Sequence, residues 1–325
     1  MKENCRVKKI RSSTLHYGFR TLVLLGFAVY IVYLFKTDSL VYYIAPRMMI
    51  YAKIAAVGLY IIAVLQAYVA LRSLREPVSA GCSCGHDAHD HDHDHAHGHD
   101  HEGHSHAPTG SFGKHAAAYA VFVIPLLLGF LLPTTAMSSA LVAQKGINLG
   151  GPPAAVNDAG GTSSAGDWAG DEDPQLKERF KTDKYNRDFA KLGIKLYKQD
   201  TLELKDELFM EKLQALNMFP DNFAGKPIKM LGFVYRDTGM SDTQFIVGRF
   251  AVTCCTADAS TYGVVVQSSN ANRFADDTWV TVSGTIGEMT YKGKKVITIQ
   301  AASIEKTKPP ENPYVYPVYD FGSRL

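Results

Sequence analysis

The sequence predicts an α-helical membrane anchor of three spans followed by a small β-rich, OB-like barrel domain with flanking helices. Three observations predict it. Uncharged apolar runs fill much of the first 145 residues, a histidine-rich tract interrupts them, and a charge-balanced stretch with strand-like alternation fills the rest. The 325 residues are enough for two domains at ~100–200 residues each. Five cysteines are too few for a disulfide scaffold. The 34 Lys+Arg against 32 Asp+Glu give no global attraction for nucleic acid.

A basic N-terminus, residues 1–15, leads into a membrane domain, residues 16–148. The first apolar run, 21–35, is TLVLLGFAVYIVYLF. With Tyr17 to Phe19 added it is about long enough to cross a ~30 Å hydrocarbon core. The second run, 48–71, has Lys53 as its one charge, near an end where a long stem can place the ammonium among headgroups. The third, 116–132, carries Pro125, which lipid tolerates when neighbouring helices satisfy the freed carbonyl. Lys36-Thr37-Asp38 follows the first run where a signal peptide would show a small-residue cleavage site, so a retained anchor is the expectation.

Basic residues set the expected orientation. Lys2, Arg6, Lys8, Lys9, Arg11 and Arg20 precede the first span, and Arg72, Arg75 and Lys114 flank the loop after the second. The positive-inside rule then puts the N-terminus and that loop in the cytosol, and three crossings put the C-terminal domain outside. The chain is therefore expected to be a multi-pass protein of the cell membrane with an extracytoplasmic C-terminal domain.

The loop at 82–106 reads CSCGHDAHDHDHDHAHGHDHEGHSH. Ten of the twelve histidines fall here: His86, His89, His91, His93, His95, His97, His99, His101, His104 and His106, interleaved with six carboxylates. Neutral imidazole is a good ligand for Zn²⁺, Ni²⁺, Co²⁺ and Cu, and the carboxylates favour cation entry. Alternating polar residues and Gly make no packed core, so the expected behaviour is labile, multidentate binding rather than one rigid site. Cys82 and Cys84 add thiolate donors that a reducing cytosol keeps free. The alternative is a solvated polar loop. No motif for an organic cofactor is present.

From 149 to 173 the composition switches to Gly, Ala, Pro, Ser and Asp, a flexible linker spanning about 25 Å r.m.s.. The domain at 174–325 opens with a charged helical stretch, 174–198. A second helix is expected at 207–217, with Asp206 as its N-cap. Candidate strands follow at 227–235, 243–253, 263–267, 278–287 and 295–303, with turn signals at Asp237-Thr238-Gly239 and Tyr291-Lys292-Gly293. Five strands so spaced, with Gly232 and Gly284 where a curled strand bends, suggest the OB-like barrel. From Asp171 onward there are 21 Lys+Arg and 21 Asp+Glu, too neutral a balance for an oligonucleotide surface.

One segment stands apart: Arg249 through Asp258, RFAVTCCTAD. Adjacent Cα atoms are ~3.8 Å apart, below the usual disulfide range, so a Cys254–Cys255 bond is not expected. On a strand the two thiols would point to opposite faces. The plain reading is one buried small hydrophobe and one incidental thiol; the sharper one is a ligand site of Cys254, Cys255 and Asp258. Arg249 reads as a structural ion-pair partner. The domain has no histidine, which removes Ser-His and Cys-His catalysis.

The segments IPLLLGFLLPTTAM, GINLG, FAGKPIKMLGFVYRD, GRFAVTCCTADAS, YGVVVQS and DDTWVTVSGTIG, in this order, resemble the YcgQ-like family of bacterial membrane proteins. Its members are described, provisionally, as subunits of a two-component membrane permease complex. The resemblance implies an accessory, non-enzymatic role beside a multi-spanning permease subunit, with Arg249, Cys254, Cys255 and Asp258 as matching motif positions of unknown role. The histidine tract adds the expectation of a divalent metal such as zinc. Two other classes stay open: an extracytoplasmic thiol-redox or soft-metal-binding protein using Cys254 and Cys255, and a structural assembly factor for a membrane partner.

Overall fold

The computed structural model describes residues 3–75, 112–133, 137–150 and 173–325. The histidine tract, Cys82, Cys84 and linker residues 151–172 lie outside the described residues. The chain divides into two compact units, Met1–Leu40 with Met49–Pro133, and Val41–Met48 with Thr134–Leu325.

The first unit is helical: α1 (Glu3–Lys36), α2 (Met49–Arg75) and α3 (Phe112–Leu131). Two segments are long and apolar enough to cross a membrane, His16–Lys36 of 21 residues and Pro46–Arg72 of 27. Leu22, Val29, Ile54, Tyr60 and Leu65 are exposed, and helices apolar on their outward faces are stable in lipid rather than water. The expected third span, α3, is 20 residues long, and its apolar part among the described residues is shorter than the length rule requires. That part is Ala117–Leu131. At 1.5 Å per residue that part covers about 22 Å. It packs on α1 through small residues: a Cβ at Gly26 would meet Leu126 Cδ2 at 2.6 Å, and one at Gly129 would meet the Tyr30 ring at 2.7 Å. Tyr30 and Phe130 meet edge-to-face at 4.9 Å, and Phe19 and Tyr119 at 4.5 Å.

The second unit is a mixed sheet with helices. It holds α4 (Ser139–Lys145), β1 (Ile147–Asn148), α5 (Pro174–Arg179), α6 (Arg187–Tyr197), β2 (Leu202–Leu204), α7 (Phe209–Met218) and α8 (Pro220–Phe223). Then come β3 (Pro227–Tyr235), β4 (Gln244–Ala251), β5 (Ser260–Gln267), β6 (Trp279–Tyr291), β7 (Lys294–Lys306) and β8 (Tyr314–Val315). All five expected strands are present, and 227–235 has the boundaries the alternation gives. The antiparallel pairs are β3–β4, β3–β6, β4–β5 and β6–β7; β5–β7 is parallel. Short β1, β2 and β8 pair in parallel with β5, β3 and β4. The unit thus starts before the linker, because β1 joins the sheet beside β5.

Gly284 sits at a register shift between β6 and β7, where a Cβ would collide with the Gln300 carbonyl oxygen. The β6–β7 hairpin closes through Lys292 (φ 48) and Gly293 (φ 78), both left-handed, as a tight two-residue turn requires.

Two expectations about helices need correction. The charged stretch 174–198 is two helices, α5 and α6, separated by residues 180–186. Asp206 does not cap α7; the cap position is Leu208, at φ 54, and Asp206 faces Arg249 instead. The main core lies between the sheet and α6 and α7, with Phe180, Ile194, Phe209, Leu213, Met230, Val247 and Ile299 among its buried residues. A second cluster gathers Phe233, Phe250, Val252 and Tyr314 with Val142 of α4 and Ala45 of the segment 41–48. Burying Ala45 and Val142 makes those segments part of this unit's core.

Candidate functional site

β4 ends at Ala251, and Asp258 shapes the chain just beyond that end. Its Oδ1 accepts from the Thr253 N–H at 2.8 Å, and its Oδ2 accepts from the N–H groups of Cys254 at 2.6 Å and Cys255 at 3.3 Å. A carboxylate that satisfies three consecutive N–H donors folds the chain into a short turn, the chemistry of a helix N-cap. A 3₁₀ turn, Thr256–Asp258, completes it.

The turn changes where the thiols point. Cys254 and Cys255 lie beyond the end of β4, their Sγ atoms only 3.7 Å apart, and both are partly exposed. The expected opposite-face geometry, with one thiol buried, is therefore wrong: the strand stops three residues before Cys254. Among the described residues, Cys254, Cys255 and Asp258 form a group whose donor atoms all lie within 4.8 Å of one another.

Distant segments brace this turn. Ala45 N–H donates to the Cys254 carbonyl at 3.0 Å, and Thr256 N–H donates to the Tyr43 carbonyl at 3.0 Å. Ile44 and Cys255 form an isolated antiparallel bridge. Arg47 Nε donates to the Thr253 carbonyl at 3.0 Å. Lys145 Nζ donates to the carbonyls of Ala257 at 2.9 Å and Ala259 at 3.2 Å. Sequence reasoning missed Tyr43, Ala45, Arg47 and Lys145. Their positions carry no local signal, because each partner is more than a hundred residues away.

The electrostatics follow from the geometry. The Cys254 thiol hydrogen-bonds to Asp258 and lies beside Cys255, and these pairings push its pKa up to about 11. Burial opposes the Asp258 charge, but the Cys254 thiol and the three backbone N–H donors outweigh it and hold the carboxyl below its usual range. Cys254 is thus a protonated thiol at neutral pH.

Arg249 belongs to different surroundings. Its side chain is 0% exposed, and NH1 lies 2.6 Å from Asp206 Oδ1. The guanidinium carbon sits 5.3 Å from the Trp279 ring centre and 5.9 Å from that of Phe209. Burial pulls its pKa down, and the Asp206 charge opposes that. The structural ion-pair reading stands, with a partner the sequence had placed elsewhere. The four motif positions are thus one cluster of three plus Arg249, which pairs separately with Asp206.

Residues 19–148 match the DUF1980 N-terminal domain, and residues 179–317 match the DUF1980 C-terminal domain. A Streptococcus mutans protein provisionally named as a two-component membrane permease complex subunit is 31% identical over 212 residues, which cover 64% of this chain and 76% of that protein. The chain belongs to the DUF1980 family. Its similarity to the UPF0703 protein YcgQ of Bacillus subtilis is 29% identity over 300 residues, covering 92% of this chain and 99% of that relative. The cysteine turn lies within the matched DUF1980 C-terminal domain, and the segment Tyr43–Arg47 that braces it lies within the matched N-terminal domain.

Proposed function

We propose that this chain is a non-enzymatic accessory subunit of a two-component membrane permease complex, docked on a multi-spanning partner. The observation that carries it is the similarity to the Streptococcus mutans relative of that name, over three quarters of its length. The two helices long and apolar enough to cross a membrane fit a membrane-bound subunit.

The finer architecture draws support from the brace on the cysteine turn. Residues 41–48 connect α1 to α2 and hydrogen-bond to residues 253–256 within the second unit. If α1 and α2 both span, that connection and the C-terminal domain share a side of the membrane. The chain must then cross back between Arg75 and Met137, and α3 is the apolar helix in that interval among the described residues. This favours three spans despite the short apolar part of α3, and with the basic N-terminus inside it favours an extracytoplasmic domain. The pairings β3–β6, β6–β7, β7–β5, β5–β4 and β4–β3 return to their start, which favours the OB-like barrel. Its neutral charge balance argues against nucleic acid.

The proposed cargo is a divalent metal such as zinc, gathered by the cytosolic histidine tract with Cys82 and Cys84; the support is the composition of residues 82–106. A thiol-redox role draws no support, since Asp258 keeps Cys254 protonated. Deleting residues 86–106 and measuring cellular zinc content and zinc tolerance tests the cargo. A several-fold change is expected, and unchanged zinc handling would leave a structural assembly factor. Protease added to intact cells should cut the linker near residue 160 and release the domain; protection of that linker would overturn the topology.

A further inference from the structure

We propose that Cys254 and Cys255 form a two-thiolate site for a tetrahedral divalent cation of the zinc type, with Asp258 as third donor and a fourth position open to an exchanging ligand. The spacing of the sulfurs is the first support. They lie 3.7 Å apart. At a metal–sulfur bond of ~2.3 Å that separation subtends about 107°, against ~109° for a tetrahedron. A linear two-coordinate ion with the same bond length would need sulfurs about 4.6 Å apart.

Rigidity is the second. The backbone from Thr253 to Asp258 is fixed by Asp258 from within and by Ala45, Tyr43 and Arg47 from outside. The thiols are therefore held at chelating distance before any ion arrives, which removes most of the ordering cost of binding. Access is the third: all three donor residues are partly exposed, so an ion and a fourth, exchanging ligand can both approach.

Loading is a proton-for-metal exchange. Each thiol releases one proton to solvent, so M²⁺ and two S–H groups become one M(S)₂ unit and two H⁺. A closed structural zinc site has four protein ligands, whereas three ligands and an open position suit exchange. The site uses no residue of the histidine tract, and it does not depend on the permease reading.

The test uses the full chain in mild detergent with C5S, C82S and C84S, which leaves Cys254 and Cys255 as the remaining cysteines. Cd²⁺ is titrated in, and the ultraviolet thiolate-to-metal charge-transfer band is read. Imidazole and carboxylate give no such band, so the histidine tract is silent. The band should saturate at the amplitude of one two-thiolate Cd²⁺ per chain, and adding C254S or C255S should weaken binding at least tenfold. Absence of the band in the two-cysteine protein overturns the proposal whatever the variants do. So does a band of unchanged affinity in either serine variant.

Discussion

Arg249 and Asp258 stand nine positions apart at the same end of β4, and the fold treats their charges in opposite ways. Arg249 is wholly buried among aromatic rings with one carboxylate for company. Asp258 is partly exposed and is surrounded by N–H donors of its own turn. A buried charge depends on its single partner, because losing that partner leaves it uncompensated. A turn carboxylate depends on many weak bonds, none decisive. Arg249 is thus a core pin, and Asp258 organises a site.

The sharpest way to break this contrast is Asp206→Ala. It strands the Arg249 charge in the core and should cost about 3 kcal/mol, the low end for a buried pair because Asp206 itself is half exposed. Adding Arg249→Met to Asp206→Ala should recover much of that loss in chemical denaturation, since a long apolar side chain needs no partner. If the double variant is no more stable than Asp206→Ala alone, Arg249 is not a core pin.

Asp258→Ala should cost less, about 1–2 kcal/mol, the range for a lost capping carboxylate. It should also move the Cys254 thiol down from about 11 towards an ordinary cysteine. Alkylation rates followed against pH would show the midpoint fall, and an unmoved midpoint would contradict the Asp258 pairing. The signs of the linkage are opposite for the two partners. Cys254 is raised, so its contribution to stability is fully present below its ordinary value and lost as pH rises through about 11. Asp258 is lowered, so its contribution is present above the ordinary carboxylate value and lost as pH falls through its folded one. The smallest effect belongs to Arg47→Ala, which removes an exposed hydrogen bond to Thr253 and an exposed contact with the Tyr319 ring and should cost about 0.5–1 kcal/mol. A cost above that of Asp258→Ala would mean that the brace, not the turn, holds the site.

How far the sequence reveals these features depends on how local their causes are. The strand at 227–235 was legible because alternation between faces is written residue by residue. The two long apolar helices were legible because an unbroken apolar run is equally local. The thiol geometry was not, because it depends on β4 stopping at Ala251, and that stop is set by Asp258 reaching back to three N–H groups. Asp206 was misread as a helix cap, since its true partner is 43 positions away on β4. Least legible was the brace: Arg47 and Thr253 are separated by 206 positions, and no local pattern encodes that meeting.

The measurement that most directly tests the permease reading is affinity purification of the full chain from its native membrane in mild detergent. Mass spectrometry would identify the copurifying proteins. One multi-spanning membrane protein should be recovered in near-equal amount. Recovery of the chain alone, or only with soluble proteins, would contradict its reading as half of a membrane permease complex.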